Sequence, residues 1–207
     1  APLDLMVRPE QREHMYHLVR DMRNKKELFT LDFFLDGEYV YGCIAAGRYY
    51  LHINANGDID PCVFIHYSDS NIREKTLLEA YRSPLFMEYH KNQPFNKNML
   101  RPCPLLDNPY RLEQVVKKSG AHCSDPVKPQ DVHDLCAKCE KQALAWKPVA
   151  DRLWVNSEGN KHGLGCENTI LPENRIDHSE VKPIADVIQE EIDEAKAQKE
   201  AAKKHAG

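Results

Sequence analysis

The sequence lacks several features that would assign it to a common class of protein. Its net charge of −4 excludes the basic excess expected of an electrostatic nucleic-acid binder. No run approaches the roughly 18 apolar residues of a membrane helix, and the first four residues predict no secretory signal. There is no glycine-rich phosphate loop, serine nucleophile elbow or His-Glu-x-x-His motif. We therefore expect a cytoplasmic chain that binds neither nucleic acid nor membrane.

Apolar side chains are also scarce. Only 42% of the 207 residues are hydrophobic, and the mean hydropathy is −0.64. A core with so few apolar residues often needs disulfide bonds or a bound metal ion for stability. The seven cysteines are an odd number and cannot all pair within one chain. Without a predicted secretory signal, reduced thiols or metal ligands are better interpretations than a disulfide framework. The missing initiator methionine predicts a fragment or a processed product.

The amino-terminal segment predicts a helix followed by a strand. Pro9 suits the first position of a helix. Its buried face should carry four apolar side chains at helical spacing: Met15, Leu18, Val19 and Met22. Residues 28–34 are strand-like, and Asp36-Gly37 should end that strand in a turn.

The remainder predicts an α+β fold in which helices surround a small β layer. Strands over 49–54 and 58–64 form a hairpin with Gly57 in its turn. Later helices are predicted over 71–89 with a restart at Ser83-Pro84, over 109–118 with a stop at Gly120, over 131–154 with an interruption at Pro148, and around Ile184, Ile188 and Ile192.

Two cysteines flank the predicted hairpin. Cys43 lies before it, and Cys62 follows Gly57 in the spacing Gly-x-x-x-x-Cys. Antiparallel strands joined by a tight turn bring their ends together, so both thiols can face one point. Pro61 stiffens the approach to Cys62 and favours the ligand interpretation. The alternative is that both cysteines act as small buried hydrophobic residues.

Cys103 lies between two prolines just before a predicted helix. The partial positive charge of a helix start suits a thiolate or a sulfide-bearing cluster. We therefore favour a ligand over a core residue. Asp107, four residues later, is a candidate oxygen ligand, although capping the helix is its favoured role.

The other cysteines have weaker signals. Cys136 and Cys139 form a Cys-x-x-Cys pair, which suggests zinc or redox chemistry. Both lie on the apolar face of the predicted helix, however, so core packing is an equal alternative. Cys123 and Cys166 fall in predicted loops without local support for a ligand role. For the histidines a solvated side chain is the better interpretation.

Residues 42–66 resemble the start of the SPASM or shorter twitch domain, the auxiliary-cluster domain of radical S-adenosylmethionine (radical SAM) proteins. The similarity continues through residues 69–86 and 100–109. Residues 8–37 resemble the last helix and strand of that family's partial barrel. The resemblance covers about residues 5–155.

The resemblance implies that Cys43, Cys62 and Cys103 ligate an auxiliary [4Fe–4S] cluster that carries electrons or binds substrate. Cys136 and Cys139 lack the close following cysteines of a two-cluster pattern, so a one-cluster module fits better. No three cysteines have the spacing Cys-x-x-x-Cys-x-x-Cys of the radical-generating centre. This chain should therefore bind no S-adenosylmethionine itself; the parent enzyme would.

The predicted organisation has three parts. Residues 1–42 end the partial barrel, 43–155 form the auxiliary-cluster domain, and 156–207 form a polar linker and a last amphipathic helix. The expected partners are the radical SAM core domain and a peptide or small-molecule substrate. The domain itself would have no independent catalysis.

Two rival functions remain open. One is a structural zinc-binding module that uses Cys103 or Cys123 with Cys136, Cys139 and a histidine. The other is a metal-free α+β interaction domain with reduced thiols, whose stability would not respond to chelators.

Overall fold

A computed structural model describes residues 5–161 together with residues 189, 192, 193 and 196. Within residues 5–161 the helices are α1 (Pro9–Lys25), α2 (Gly37–Val40), α3 (Leu77–Tyr81), α4 (Pro84–Asn92), α5 (Pro109–Ser119), α6 (Val132–Val155) and α7 (Glu158–Lys161). The strands are β1 (His52–Ile53), β2 (Ile59–Asp60), β3 (Tyr67–Ser68) and β4 (His122–Cys123). Helices with small antiparallel sheets confirm the predicted α+β class. The partial barrel stays a prediction.

The predicted hairpin is present, although its strands are short. β1 and β2 pair antiparallel, with Ile53 opposite Ile59. Gly57 has φ +89° in the turn, a conformation that glycine adopts without strain. A second pair joins β3 to β4, with Tyr67 opposite Cys123. The loop predicted around Cys123 is therefore wrong at that residue, which lies on a strand.

The strand predicted over 28–34 is wrong. This segment has no regular structure before a turn in which the Asp32 carboxylate accepts hydrogen bonds from the Phe34 and Leu35 amides. A strand needs a neighbour for its backbone groups, and no described strand pairs with this segment. Phe29 is 84% exposed. Gly37 begins α2 instead of ending a strand.

Helix α1 begins at Pro9 as predicted, but its inner face differs from the prediction. Met15 and Leu18 are exposed, and Tyr16 is the buried residue of the helix. Three arginines on α1 instead reach carboxylates elsewhere in the fold, in the pairs Arg12–Asp107, Arg20–Glu38 and Arg23–Asp36. Periodicity of apolar residues alone could not reveal this polar face.

Local capping signals place the middle helices well. Thr76 and Glu79 form a capping box at α3, and the Ser83 hydroxyl caps α4. Gly120 ends α5 in the left-handed conformation. The predicted helix over 71–89 is thus two shorter helices that begin after Thr76.

The interruption predicted at Pro148 is wrong, because α6 continues through this residue to Val155. Ile184 and Ile188, which mark the predicted last helix, lie outside the described residues, whereas Ile192 is helical. No helix of the described chain is both long and apolar enough to cross a membrane.

The buried side chains form two clusters. The larger lies beneath the hairpin and between α4, α5 and α6, and includes Tyr89, Leu112 and Cys136. The smaller lies where α1 meets α6 and includes Tyr16, Leu100 and Trp146. The loop that carries Cys103 runs from the second cluster to the start of α5.

Candidate metal centre

Three cysteines from separate parts of the chain pack against the same buried cluster. Cys43 follows a turn in which Tyr41 and Gly42 both have positive φ, Cys62 follows β2, and Cys103 precedes α5. All three are partly buried and pack against the larger cluster. Burial raises the pKa of the Cys43 thiol to about 11, and the neighbouring Cys62 adds to this effect. We call Cys43, Cys62 and Cys103 the site thiols.

Polar groups favour negative charge at two of the site thiols. The Leu106 amide donates to Cys103 Sγ at 3.3 Å. The Ala45 amide and the Gln93 side chain both favour the charged form of Cys43. Such donors stabilise negative charge on sulfur, whether it resides on a thiolate or on a cluster.

Two tyrosines complete the surroundings of the site thiols. The Tyr50 hydroxyl forms a hydrogen bond with Cys62 Sγ at 2.7 Å. Tyr89, on α4, is 0% exposed, and its hydroxyl has no hydrogen-bond partner among the described residues. Burial raises the pKa of Tyr89 well above its usual value, and Cys43, Cys103 and Cys62 contribute to this rise. Negative charge on any of the three site thiols would therefore disfavour ionisation of the Tyr89 hydroxyl.

The loop of Cys103 is held by a buried ion pair. Asp107 Oδ2 accepts a hydrogen bond from the Cys103 amide at 3.0 Å, and Oδ1 accepts one from Arg12 at 2.7 Å. The Arg12 guanidinium also lies 4.3 Å from the ring centroid of Trp146. Asn108, and not Asp107, is the residue that precedes α5 as its N-cap. Asp107 therefore positions the cysteine loop and does not cap α5 as predicted, while its role as an oxygen ligand stays a prediction.

The other described cysteines have apolar surroundings. Cys136 and Cys139 are 0% and 6% exposed on the inner face of α6, as the predicted helix stripe requires. Burial raises the pKa of Cys136 to about 12. Cys123 on β4 accepts one backbone hydrogen bond, from the Gln130 amide at 3.4 Å. We call Cys123, Cys136 and Cys139 the core thiols; Cys166 lies outside the described residues.

Sequence reasoning missed several residues around the site thiols. Tyr50 stands between the two predicted hairpin cysteines, and its proximity to them in sequence was an available signal. Tyr89 and Arg12 lie on other helices and gave no such signal. A fourth residue, Asp60, is fully buried on β2, and burial raises its pKa to about 6 although the Ser124 hydroxyl donates to it.

Nowhere in the described ranges do three His, Cys, Asp or Glu side chains gather closely enough to hold a single metal ion. The zinc site predicted as an alternative therefore finds no ligand group there. Cysteines around an iron–sulfur cluster bind different iron atoms, so their thiols lie farther apart than the ligands of one ion.

The residues present suit an iron–sulfur cluster in a further respect. A buried hydroxyl without a partner costs free energy unless something else accepts its hydrogen bond. The Tyr89 hydroxyl is such a group, and all three site thiols pack against the cluster that contains Tyr89. A sulfur-rich anionic group between these thiols would provide the missing acceptor.

Comparison with protein families matches residues 43–140 to SPASM, an iron–sulfur cluster-binding domain. Comparisons with curated proteins and with solved structures found no match. This match confirms the resemblance seen in the hairpin and its cysteines. All site thiols and all core thiols lie within the matched residues.

Proposed function

We propose that this chain holds one auxiliary [4Fe–4S] cluster, bound by Cys43, Cys62 and Cys103, and serves a radical SAM enzyme. The observation that carries the proposal is that three partly buried cysteines pack against one cluster, with the Leu106 amide donating to Cys103 Sγ and the Tyr50 hydroxyl hydrogen-bonded to Cys62 Sγ. The match of residues 43–140 to a cluster-binding domain supports it independently.

When bound, the cluster would supply a centre that accepts and donates single electrons or that contacts substrate. The chain's own contribution is to hold the thiols and to limit water around them. Arg12 and Asp107 fix the Cys103 loop, and the turn at Gly57 sets where Cys62 stands relative to Cys43. Three thiolates would leave one iron of such a cluster for a further ligand.

The partners belong to the same proposal. The chain has no Cys-x-x-x-Cys-x-x-Cys motif, so a radical SAM core domain would cleave S-adenosylmethionine, and a peptide or small molecule would be the substrate. The role of the cluster would be electron transfer or substrate positioning. We also propose a cytoplasmic location, because thiolate ligands need a reducing compartment.

Anaerobic reconstitution tests the ligand assignment. The 207-residue chain should take up iron and sulfide in nearly equal amounts and gain visible sulfur-to-iron charge-transfer absorption. The double variant Cys43→Ser/Cys62→Ser should lose most of this uptake. Cys123→Ala/Cys139→Ala removes two core thiols and is the matched control, which should load like wild type.

Two outcomes would contradict the proposal. A Cys43→Ser/Cys62→Ser variant that reconstitutes as well as wild type would exclude these residues as ligands. Colourless protein that is purified with about one zinc ion per chain would favour the structural zinc module instead.

A further inference from the structure

We infer that the hydroxyls of Tyr50 and Tyr89 donate hydrogen bonds to the sulfur atoms of the bound cluster and thereby raise its reduction potential. This inference rests on the proposed function and assigns to the same site a means of setting its potential. Neither tyrosine is a cluster ligand, and each would contact the cluster only through its hydroxyl.

The two hydroxyls approach the site from different elements. Tyr50 lies between α2 and β1 and already contacts Cys62 Sγ at 2.7 Å. Tyr89 lies on α4, and its ring packs edge-on against Phe95 at 5.3 Å between centroids. This packing fixes the ring, so the hydroxyl cannot turn towards solvent.

The unpartnered state of Tyr89 is the decisive observation. A hydroxyl that is 0% exposed nearly always has a hydrogen-bond partner in a folded protein, and Tyr89 has none among the described residues. Tyr89 belongs to the buried cluster against which all three site thiols and Tyr50 pack. An acceptor located among these four groups would satisfy the hydroxyl.

Hydrogen bonds to cluster sulfur change the potential because reduction adds negative charge. The cluster gains one electron from an external donor, no bond breaks, and both phenols keep their protons. A donor at sulfur stabilises the more negative, reduced state more than the oxidised state. Tyrosine hydroxyls have an ordinary pKa of about 10, so both remain protonated donors at neutral pH.

Redox titration of the reconstituted 207-residue chain tests this inference. Tyr50→Phe and Tyr89→Phe each remove one oxygen atom, and dithionite with mediators supplies the electron. Each variant should lower the equilibrium constant for one-electron reduction about ten-fold, which corresponds to about 59 mV. The matched control is Tyr67→Phe, because the Tyr67 hydroxyl is held by the Gln130 carbonyl at 2.9 Å and faces the core thiols. That variant should keep the wild-type potential.

The outcomes separate the inference from the function on which it rests. A wild-type chain that takes up no iron and sulfide contradicts the proposed function and this inference together. Normal loading with wild-type potentials in both Tyr50→Phe and Tyr89→Phe contradicts the inference alone.

A second measurement does not depend on loading. Without cluster, Tyr89→Phe should melt at the wild-type temperature or above, because its hydroxyl has no partner to lose. A clear fall in that temperature would mean that the hydroxyl serves the fold, and would overturn its assignment as a donor to the cluster.

Discussion

The site thiols and the two core thiols on α6 differ in their neighbours as well as in their burial. Cys43, Cys62 and Cys103 lie in loops and turns, where amides, Gln93 and tyrosine hydroxyls approach them. Cys136 and Cys139 lie on a helix face packed against apolar side chains. The familiar Cys-x-x-Cys motif thus belongs to the apolar group, and the widely spaced cysteines belong to the group with polar donors.

The largest expected effect comes from the ion pair behind Cys103. Arg12→Met leaves the Asp107 carboxylate, whose side chain is 0% exposed, without its cation. Removing one partner of a buried pair costs about 3–5 kcal/mol, and the Cys103 loop should loosen. Urea denaturation of the cluster-free chain and iron content after reconstitution measure the two effects.

Arg152→Met is the matched control for Arg12→Met. Arg152 pairs with Glu13 at 2.9 Å, but its side chain is 63% exposed. An exposed pair of this kind contributes little to stability, because water screens it. Equal destabilisation by the two variants would show that burial of Asp107 does not support the site.

A glycine with positive φ precedes one cysteine of each group: Gly57 precedes the site thiol Cys62, and Gly120 precedes the core thiol Cys123. A Cβ on Gly57 would lie 2.9 Å from Asn71 Oδ1 at φ +89°, whereas a Cβ on Gly120 would meet nothing within 4 Å at φ +72°. Both alanine variants carry backbone strain, but only Gly57→Ala adds a close contact. We expect Gly57→Ala to cost about 2 kcal/mol and Gly120→Ala about 1 kcal/mol.

Iron content distinguishes the two glycine variants more sharply than stability. Gly57→Ala should reduce cluster loading, because the turn sets the position of Cys62 relative to Cys43. Gly120→Ala disturbs only the backbone that leads to Cys123, so this variant should take up the cluster normally. If Gly120→Ala loaded less than Gly57→Ala, Cys123 would belong with the ligands and the division of the six thiols would be wrong.

Truncation of one thiol in each group should give opposite results. Cys136→Ala leaves a small cavity in the larger cluster and should cost about 1–2 kcal/mol while iron uptake stays at the wild-type level. Cys43→Ala should change the stability of the cluster-free chain less and abolish most iron uptake. The test is the melting temperature and the iron content of each of the two variants.

The sequence predicts the local parts of this arrangement and misses the parts that depend on distant contacts. The turn at Gly57, the stop at Gly120 and the helix stripe of Cys136 and Cys139 follow from short-range rules, and the structure confirms them. The strand over 28–34 is wrong because a strand depends on a partner that local composition does not specify.

The surroundings of the site thiols belong to this second kind. Arg12 reaches Asp107 across 95 positions of sequence, and Tyr89 approaches the thiols from α4. The apolar pattern of α1 predicts an apolar inner face. Instead, its arginines pair with carboxylates on α2, on the residue before α2 and on the Cys103 loop. Such pairs become visible only once the chain is folded.

The smallest expected effect concerns pH. Glu88 of α4 contacts Lys118 of α5 at 2.8 Å and Lys91 at 3.3 Å. The hydrogen bond from Lys118 lowers the pKa of Glu88 below its usual value. The folded state therefore binds this proton less readily than the unfolded state. The resulting stabilisation is present above about pH 4.5 and is lost as the pH falls through the lowered pKa.

Glu88→Gln should consequently reduce the loss of stability between about pH 5 and pH 3 by less than about 1 kcal/mol. Both lysines are more than half exposed, so water screens the pair, unlike the enclosed pair of Arg12 and Asp107. Urea denaturation at several pH values measures the difference, and cluster loading at neutral pH should not change. An effect as large as that of Arg12→Met would show that the link between α4 and α5, which lies beside Tyr89, supports the site thiols as strongly as the Cys103 loop does.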